Sequence, residues 1–113
     1  MAVRVNKESF YEEVLMAKVP VVAEFYSESC NPCKQMAATL GVLEDEYQSK
    51  IKIVKVNVNF SAELAKEYRV RSAPTVLFFE SEKEVRRING LVEKPVLQGI
   101  IENILKSPGG LIK

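Results

Sequence analysis

The sequence predicts an α/β fold, with a central mixed sheet of four to five strands and helices on both faces. The first observation is a strand, helix and strand succession over residues 19–58, a unit that nearly always gives two parallel strands. The second is a pair of short runs, 75–80 and 85–89, joined by a polar link as in an antiparallel hairpin. A parallel sheet needs cover on both faces, which indicates helices on each side.

Length and composition indicate one folded domain, which we expect to span residues 1–113. The chain is 47% hydrophobic and 27% charged, which suits a globular protein with one core. Its 16 basic and 15 acidic side chains nearly balance and form no run, so we expect no nucleic-acid partner. The longest apolar run is too short to span a membrane or form a signal peptide. We expect a cytoplasmic monomer, unless an export signal has been removed.

The first half of the chain predicts a capped helix, a buried strand and a longer helix. Asn6 can cap the first helix, and Pro20 marks its end. Residues 19–26 are almost continuously apolar, as in a strand buried on both faces. Apolar residues recur at helical spacing over 33–48, which predicts a helix that begins at the cysteines.

The second half predicts strands, a short helix and a final amphipathic helix. A run rich in β-branched residues favours a strand, and apolar residues on one face favour the last helix. The predicted elements are a strand at 51–58, a short helix at 61–68 that Ser61 can cap, hairpin strands at 75–80 and 85–89 joined by the link 81–83, and a helix at 95–106. We expect the last seven residues to form a loose tail.

The two cysteines, Cys30 and Cys33, call for a chemical explanation. They are three positions apart, so a bond between them would stabilise the fold very little. The chain has no His, which removes the commonest metal ligand and the commonest general base. A zinc site would need two chains to share the metal, so we expect no metal site. Dithiol redox chemistry is the favoured interpretation, with half of a zinc site and an inert structural pair as the alternatives.

The motif Cys30-Asn31-Pro32-Cys33 lies between a buried strand and a long helix. The N-terminus of a helix offers unpaired N–H groups and the positive end of a dipole, and both stabilise a thiolate. We therefore expect Cys30 to be the attacking thiol and Cys33, one turn further along, to be the resolving thiol. Pro32 stiffens the turn and suits the first turn of a helix.

Glu24 interrupts the apolar strand that precedes the cysteines. Its five apolar neighbours favour an interior position, where a carboxyl group is costly and usually has a function. A solvated position at the edge of the sheet is the alternative. Lys55 also lies in a predicted strand, where a lysine more often directs its ammonium group toward solvent.

A set of residues spread over most of the chain has the order and spacing of a known family pattern. These residues are 21–26, 30–33, Lys55, 73–75 and Gly90. With them the chain resembles the thioredoxin family, for which C-x-x-C beside a strand, helix and strand pattern is typical. The resemblance implies the thioredoxin fold and a protein-disulfide reductase. Its redox group would be the Cys30–Cys33 disulfide without an added cofactor, and a thioredoxin-reductase-type donor would supply electrons.

The resemblance also implies roles for residues outside the dithiol motif. Pro74 would be a cis proline that faces the dithiol, and Ala73 would offer its backbone to an extended segment of a substrate protein. Gly90 would complete the substrate groove. Glu24 would be the buried carboxyl group beneath the active site and the proton acceptor for the resolving thiol. Lys55 would lie near Glu24.

The chain departs from the family pattern beside the dithiol. Ser29 replaces the usual Trp, Asn31 the usual Gly, Ala38 the usual Pro and Glu24 the usual Asp. We expect Ser29, Asn31 and Pro32 to border the substrate. Because Ser29 removes apolar contact area beside the attacking thiol, the family's targets and reductase do not follow from the motif alone. The competing hypothesis is a thioredoxin-like binding or assembly module in which the dithiol is not the main activity.

Overall fold

The computed structural model describes residues 2–106 as a five-stranded mixed sheet with helices on both faces. The strand order is β1-β3-β2-β4-β5; β3 runs parallel to β1 and β2, and β4 runs antiparallel to β2 and β5. The strands are β1 Val3–Val5, β2 Val21–Tyr26, β3 Lys52–Asn57, β4 Thr75–Glu80 and β5 Lys83–Asn89. The helices are α1 Lys7–Phe10 with a π-helical continuation Tyr11–Leu15, α2 Asn31–Tyr47 with a 3₁₀ turn Gln48–Lys50, α3 Ala62–Glu67 and α4 Lys94–Lys106. The predicted fold class is confirmed.

The side chains of β2 alternate between the two faces of the sheet and feed two hydrophobic clusters. Val21, Ala23 and Phe25 pack with residues of α1 and α3 on one face. Val22 packs on the other face with residues of α2 and α4. Because strand side chains alternate with a period of two, Glu24 shares the face of Val22 and lies beneath α2.

Several predicted boundaries shift by one or two residues. The second strand begins at Val21, not at residue 19, because Pro20 has no backbone N–H for the ladder. The long helix begins at Asn31, not at residue 33, since Cys30 occupies the N-cap and Pro32 fits the first turn. The third strand in the chain ends one residue short of the prediction on each side.

The two predicted helix caps have different outcomes. Asn6 caps α1 as predicted, because its Oδ1 accepts a hydrogen bond of 2.9 Å from the Ser9 N–H. Ser61 occupies the N-cap position of α3, but within residues 2–106 its side chain makes no capping hydrogen bond. The prediction of a Ser61 side-chain cap is wrong. Instead its backbone N–H donates to the Asn57 carbonyl at 2.8 Å, which positions Ser61 through the main chain.

β1 and the hairpin turn add detail that the sequence did not predict. β1 is only three residues long and pairs in parallel with residues 54–56 of β3. The hairpin turns through Ser81 and Glu82, whose φ angles of 52° and 74° suit a two-residue turn, so Lys83 belongs to β5 and not to the link. The tail predicted at 107–113 lies outside the described residues.

Candidate active site

Cys30 and Cys33 form a disulfide at the N-terminus of α2, with their Cα atoms 5.2 Å apart. Cys30 is the N-cap residue, in an extended conformation, and its Sγ accepts the Cys33 N–H at 3.1 Å. Cys33 is buried at 3% exposure, whereas Cys30 is half-buried. A backbone donor of the 17-residue helix therefore points at the more accessible sulfur, where it can stabilise a thiolate.

The residues around the disulfide on α2 are open to solvent. Ser29 precedes the N-cap and is exposed, and Asn31 and Pro32 are the first two residues of the helix and are also exposed. Proline is tolerated there because the first N–H groups of a helix have no intrahelical partner. The rim of the site around Cys30 is consequently accessible to a macromolecular substrate.

The segment before β4 brings a backbone carbonyl to the attacking sulfur. The Ala73 carbonyl oxygen lies 3.6 Å from Cys30 Sγ, and the Ala73–Pro74 peptide bond is cis. Thr75 Oγ1 donates to the Ser72 carbonyl at 2.7 Å and ties the segment to the start of β4. The backbone of residues 72–74 is thus positioned beside the disulfide.

Gly90 is hydrogen-bonded to the segment that contains Pro74. Its N–H donates to the Pro74 carbonyl at 2.8 Å, immediately after the end of β5. Its φ of +93° lies in a region that residues with a side chain rarely adopt. Glycine is therefore suited both to the conformation of the backbone here and to a close approach by a substrate chain.

Glu24 is completely buried in the centre of the sheet. Within residues 2–106 neither carboxylate oxygen has a hydrogen-bond partner. Desolvation by burial raises the pKa of Glu24 from 4.5 to about 7, and the Coulombic attraction of Lys55 opposes this rise. The interior position predicted for Glu24 is therefore what the structure shows. Its solvated alternative is wrong.

Lys55 lies next to Glu24 on the neighbouring strand. The two residues are direct partners in the parallel pairing of β2 with β3. The half-buried Lys55 ammonium group is also 4.7 Å from the centroid of the Tyr26 ring, a cation–π contact. The position near Glu24 that the family resemblance implied is thus present in the structure.

A cavity of about 350 Å³ lies between Glu24 and the surface. Ala37 and Leu40 of α2 line one side, and Lys55 lines another. Ala37 is one helical turn beyond Cys33 on the same face of α2, so the cavity runs beneath the resolving cysteine's helix. Four charged side chains line the cavity together with apolar ones: Arg4, Glu24, Glu44 and Lys55. A cavity of this size with several charged groups in its lining can hold water.

Comparisons with known proteins decide the family. The family model described as Thioredoxin matches residues 1–103. The chain belongs to the thioredoxin family. It is 38% identical to a thioredoxin of Griffithsia pacifica, over 88% of this chain and 91% of that one. It is 35% identical to thioredoxin 1 of a Nostoc species, over 92% and 97%. It is 40% identical to an M-type chloroplastic thioredoxin of Spinacia oleracea, over 89% and 56%.

Membership of the thioredoxin family, together with the Cys30–Cys33 pair, assigns the chemistry. The protein is a thiol–disulfide oxidoreductase of the protein-disulfide reductase type, and its redox group is its own disulfide. The family works on protein disulfides and receives electrons from a reductase. The hypothesis of a binding or assembly module in which the dithiol is not the main activity is not favoured.

No cluster of three or more metal-ligating side chains occurs in the part of the chain that the structure describes. No helix within residues 2–106 is both long and apolar enough to cross a membrane.

The structure gathers the predicted residues around the disulfide and adds some that sequence reasoning missed. Ala73 contacts the disulfide and Gly90 bonds to the adjacent Pro74, whereas Glu24 and Lys55 are partners on neighbouring strands of the sheet. The missed residues are Thr75, which anchors the 72–74 segment, and Tyr26, Arg4 and Gly41, which contact Lys55 or line the cavity. The motif around Pro74 included Thr75, and a polar residue there was the available signal.

Proposed function

We propose that Cys30 is the attacking thiol of this protein-disulfide reductase and that Cys33 is its resolving thiol. The observation that carries the proposal is their different surroundings. Cys30 is accessible and accepts a backbone N–H of α2, whereas Cys33 is buried behind it. A thiolate is the reactive form of cysteine, so the sulfur that the helix stabilises and solvent reaches is the one that attacks a substrate.

The first exchange joins the protein to its substrate. The Cys30 thiolate attacks one sulfur of a substrate disulfide, which breaks that S–S bond and forms a mixed disulfide. The substrate's other sulfur leaves as a thiolate and takes a proton from solvent. The Ala73 carbonyl beside Cys30 is placed to accept a backbone N–H of an extended substrate segment.

The second exchange releases the substrate. Cys33 loses its proton and attacks Cys30 Sγ, which breaks the mixed disulfide and forms the Cys30–Cys33 disulfide. The second substrate sulfur leaves as a thiolate and takes a proton from solvent. The substrate has then gained two electrons and two protons, and a reductase must return two electrons to the pair. Glu24, which lies beneath α2 and lines the cavity there, accepts the Cys33 proton. Its pKa of about 7 is close to the value that a general base needs.

The remaining site residues assist in binding and in proton transfer. Ser29, Asn31 and Pro32 form the exposed rim that a substrate contacts, and Gly90 with Pro74 completes the groove on the other side. Lys55 keeps the pKa of Glu24 from rising further, because its positive charge favours the carboxylate.

We also propose how the protein is deployed in the cell. The chain acts as a single domain and a monomer in the cytoplasm, does not bind membranes or nucleic acid, and takes electrons from a thioredoxin-reductase-type enzyme. A reducing compartment supports this, because a dithiol that works as a reductant must be kept reduced. Some relatives are chloroplastic by name, so cell fractionation is the test of location.

Insulin reduction tests the activity. With dithiothreitol as electron source, the wild-type protein should accelerate precipitation of the insulin B chain well above the dithiothreitol background. Cys30→Ser should abolish the acceleration. A wild-type rate at background, or a fully active Cys30→Ser protein, would contradict the proposal.

A further inference from the structure

A groove of about 500 Å³ opens beside the disulfide, between α3 and the segment that leads to Pro74. Ala73 belongs to both features: it lines the groove, and its carbonyl oxygen lies 3.6 Å from Cys30 Sγ. Ser27, directly after β2, lines the other end. A substrate chain attacked at Cys30 therefore has this groove as the adjacent space for its flanking residues.

Every charged side chain that lines this groove is a cation. They are Lys66 of α3, Arg69 and Arg71, and all three are exposed. The acids directly next to lining residues in the chain, Glu28, Glu63 and Glu67, are not part of the lining, and Glu63 pairs with Lys7. We call the surface around these three cations the basic groove. A carboxylate that enters it meets three positive charges and no lining acid among the described residues.

Apolar side chains also line the basic groove, and hydrogen bonds from β5 hold the backbone of Arg69. Val58, Ala65 and Val70 provide small apolar surfaces that suit the backbone and methylene groups of an extended peptide. Arg87 of β5 holds the backbone of residues 68 and 69. Its guanidinium group donates to the Tyr68 carbonyl at 2.7 Å and to the Arg69 carbonyl at 3.3 Å.

The Arg87 side chain is itself held by an ion pair with Glu84. Arg87 Nε donates to Glu84 Oε2 at 2.7 Å. The anchored backbone includes Arg69, whose φ of 57° lies in the left-handed region. Because the backbone that carries Arg69 is already fixed, less ordering is needed when an anion binds.

We infer that the basic groove selects protein disulfides that carry an acidic residue close to the attacked half-cystine. The inference rests on the proposed function and names the substrate class for it. The exchange reaction itself is unchanged, since the cations contact the flanking residue and not the reacting sulfurs. Their effect is therefore on substrate binding and encounter, and salt should weaken it.

Three disulfide-containing peptides provide the test. They are identical except for Glu, Gln or Lys two residues from the half-cystine. Stoichiometric reduced protein is mixed with each peptide, and the second-order rate constant is measured at low and high salt. Exposed ion pairs contribute at most a few-fold each, so we expect the Glu peptide to react about 5- to 30-fold faster than the Lys peptide at low salt. The Gln peptide should fall between them.

Matched variants connect this preference to the groove. In the triple variant Lys66→Gln, Arg69→Asn, Arg71→Gln the Glu to Lys ratio should fall to near one, and Asn suits the positive φ at position 69. The control is Lys50→Gln, which removes one exposed cation from the 3₁₀ turn before β3. This turn precedes the strand end that is far from the active site. The Lys50→Gln protein should keep the preference. Each ratio is normalised to the Gln peptide, which corrects for any general change in thiol reactivity. Arg71→Gln alone should lower the ratio partially without touching the helix.

The outcomes separate this inference from the proposed function. Equal rates for the three peptides, or a preference that survives in the triple variant, would overturn the inference while leaving the reductase activity in place. Failure to reduce any of the peptides would contradict the proposed function itself, and the inference with it. Loss of the preference in the triple variant and its retention in Lys50→Gln would establish the basic groove as the selecting surface.

Discussion

Cys30 and Glu24 lie six residues apart on one strand and helix unit, yet their surroundings treat negative charge in opposite ways. At the N-cap of α2, Cys30 accepts the backbone N–H of Cys33 at 3.1 Å. In the middle of β2, Glu24 is fully buried and has no hydrogen-bond donor among residues 2–106. The helix terminus stabilises an anion, whereas the centre of the sheet raises the pKa of the carboxyl group to about 7.

The contrast shows that the local environment, buried strand or helix N-terminus, decides whether the anion of an acidic side chain is disfavoured or favoured. In the proposed mechanism the buried carboxyl group serves as the base, because its pKa is raised to about 7, and the accessible thiol attacks, because a helix N-terminus favours its thiolate. The proposed nucleophile and base therefore need no histidine, which the chain lacks.

The largest expected effect comes from removing the resolving sulfur. Cys33→Ser should abolish catalytic turnover and accumulate a mixed disulfide through Cys30, because nothing remains to displace the substrate. Non-reducing electrophoresis and mass spectrometry of the trapped adduct measure this. Cys30→Ser is the matched control and should trap little. Equal trapping by both variants would erase the proposed difference between the two thiols.

Removing the base should have the next largest effect. Glu24→Leu should slow release of substrate from the mixed disulfide by about 10²-fold, since Cys33 must then lose its proton in an apolar setting without a nearby base. Rapid-mixing kinetics separate this step from the initial attack, which should keep its wild-type rate. Glu24→Asp, which keeps a carboxyl group, should recover part of the rate. Unchanged release in Glu24→Leu would remove Glu24 from the mechanism.

Stability should show the cost of keeping Glu24 buried. Below about pH 4.5 the carboxyl group is protonated in both the folded and the unfolded chain, so no ionisation penalty exists. As the pH rises from 4.5 to about 7, the unfolded chain releases its proton first and the free energy of unfolding falls. At about 1.4 kcal/mol per pH unit the loss amounts to about 3 kcal/mol.

Chemical denaturation of wild type and Glu24→Leu at pH 4 and pH 8 measures this loss. Other carboxylates are common to both proteins, so the difference between them isolates Glu24. The stabilisation by Leu relative to wild type should be larger at pH 8 than at pH 4. Glu24→Gln provides a second uncharged variant of similar shape. A difference that does not change with pH would mean that Glu24 is hydrated in the folded protein.

The smallest expected effect concerns Lys55. Lys55→Gln removes the positive charge that lowers the pKa of Glu24, so that pKa should rise above about 7. Release of substrate should then need a higher pH than in wild type. The pH profile of the release step measures the shift. Lys52→Gln removes a cation that pairs with Glu13 instead and should leave the profile unchanged.

The fold was largely predictable because its long elements carry long patterns. The β2, α2 and β3 unit and the β4 and β5 hairpin repeat apolar residues over enough positions to show their period. β1 was not predicted, since a strand of three residues has too few positions to display one. The start of α2 was misplaced by two residues because Cys30 acts as a cap through its sulfur.

The active site was predictable only in part. Cys30 and Cys33 could be predicted from their spacing and from their position at the start of a predicted helix. Glu24 could be predicted as a buried carboxyl group because it is a charged residue within an apolar run. The Lys55 contact with Tyr26 and the meeting of Ala73 with Cys30 depend on which strands are neighbours, and a local pattern contains no such information. The basic groove was missed for the same reason, because Lys66, Arg69 and Arg71 become one surface only after folding.

The most direct test of the account is the pH dependence of alkylation at each cysteine of the reduced protein. Iodoacetamide labelling followed by peptide mass spectrometry gives the two rates separately. Cys30 should be labelled much faster than Cys33, with its half-maximal rate below the pH of about 8.5 that is typical of a free cysteine. Faster labelling of Cys33, or a Cys30 profile no different from that of a free cysteine, would contradict the account.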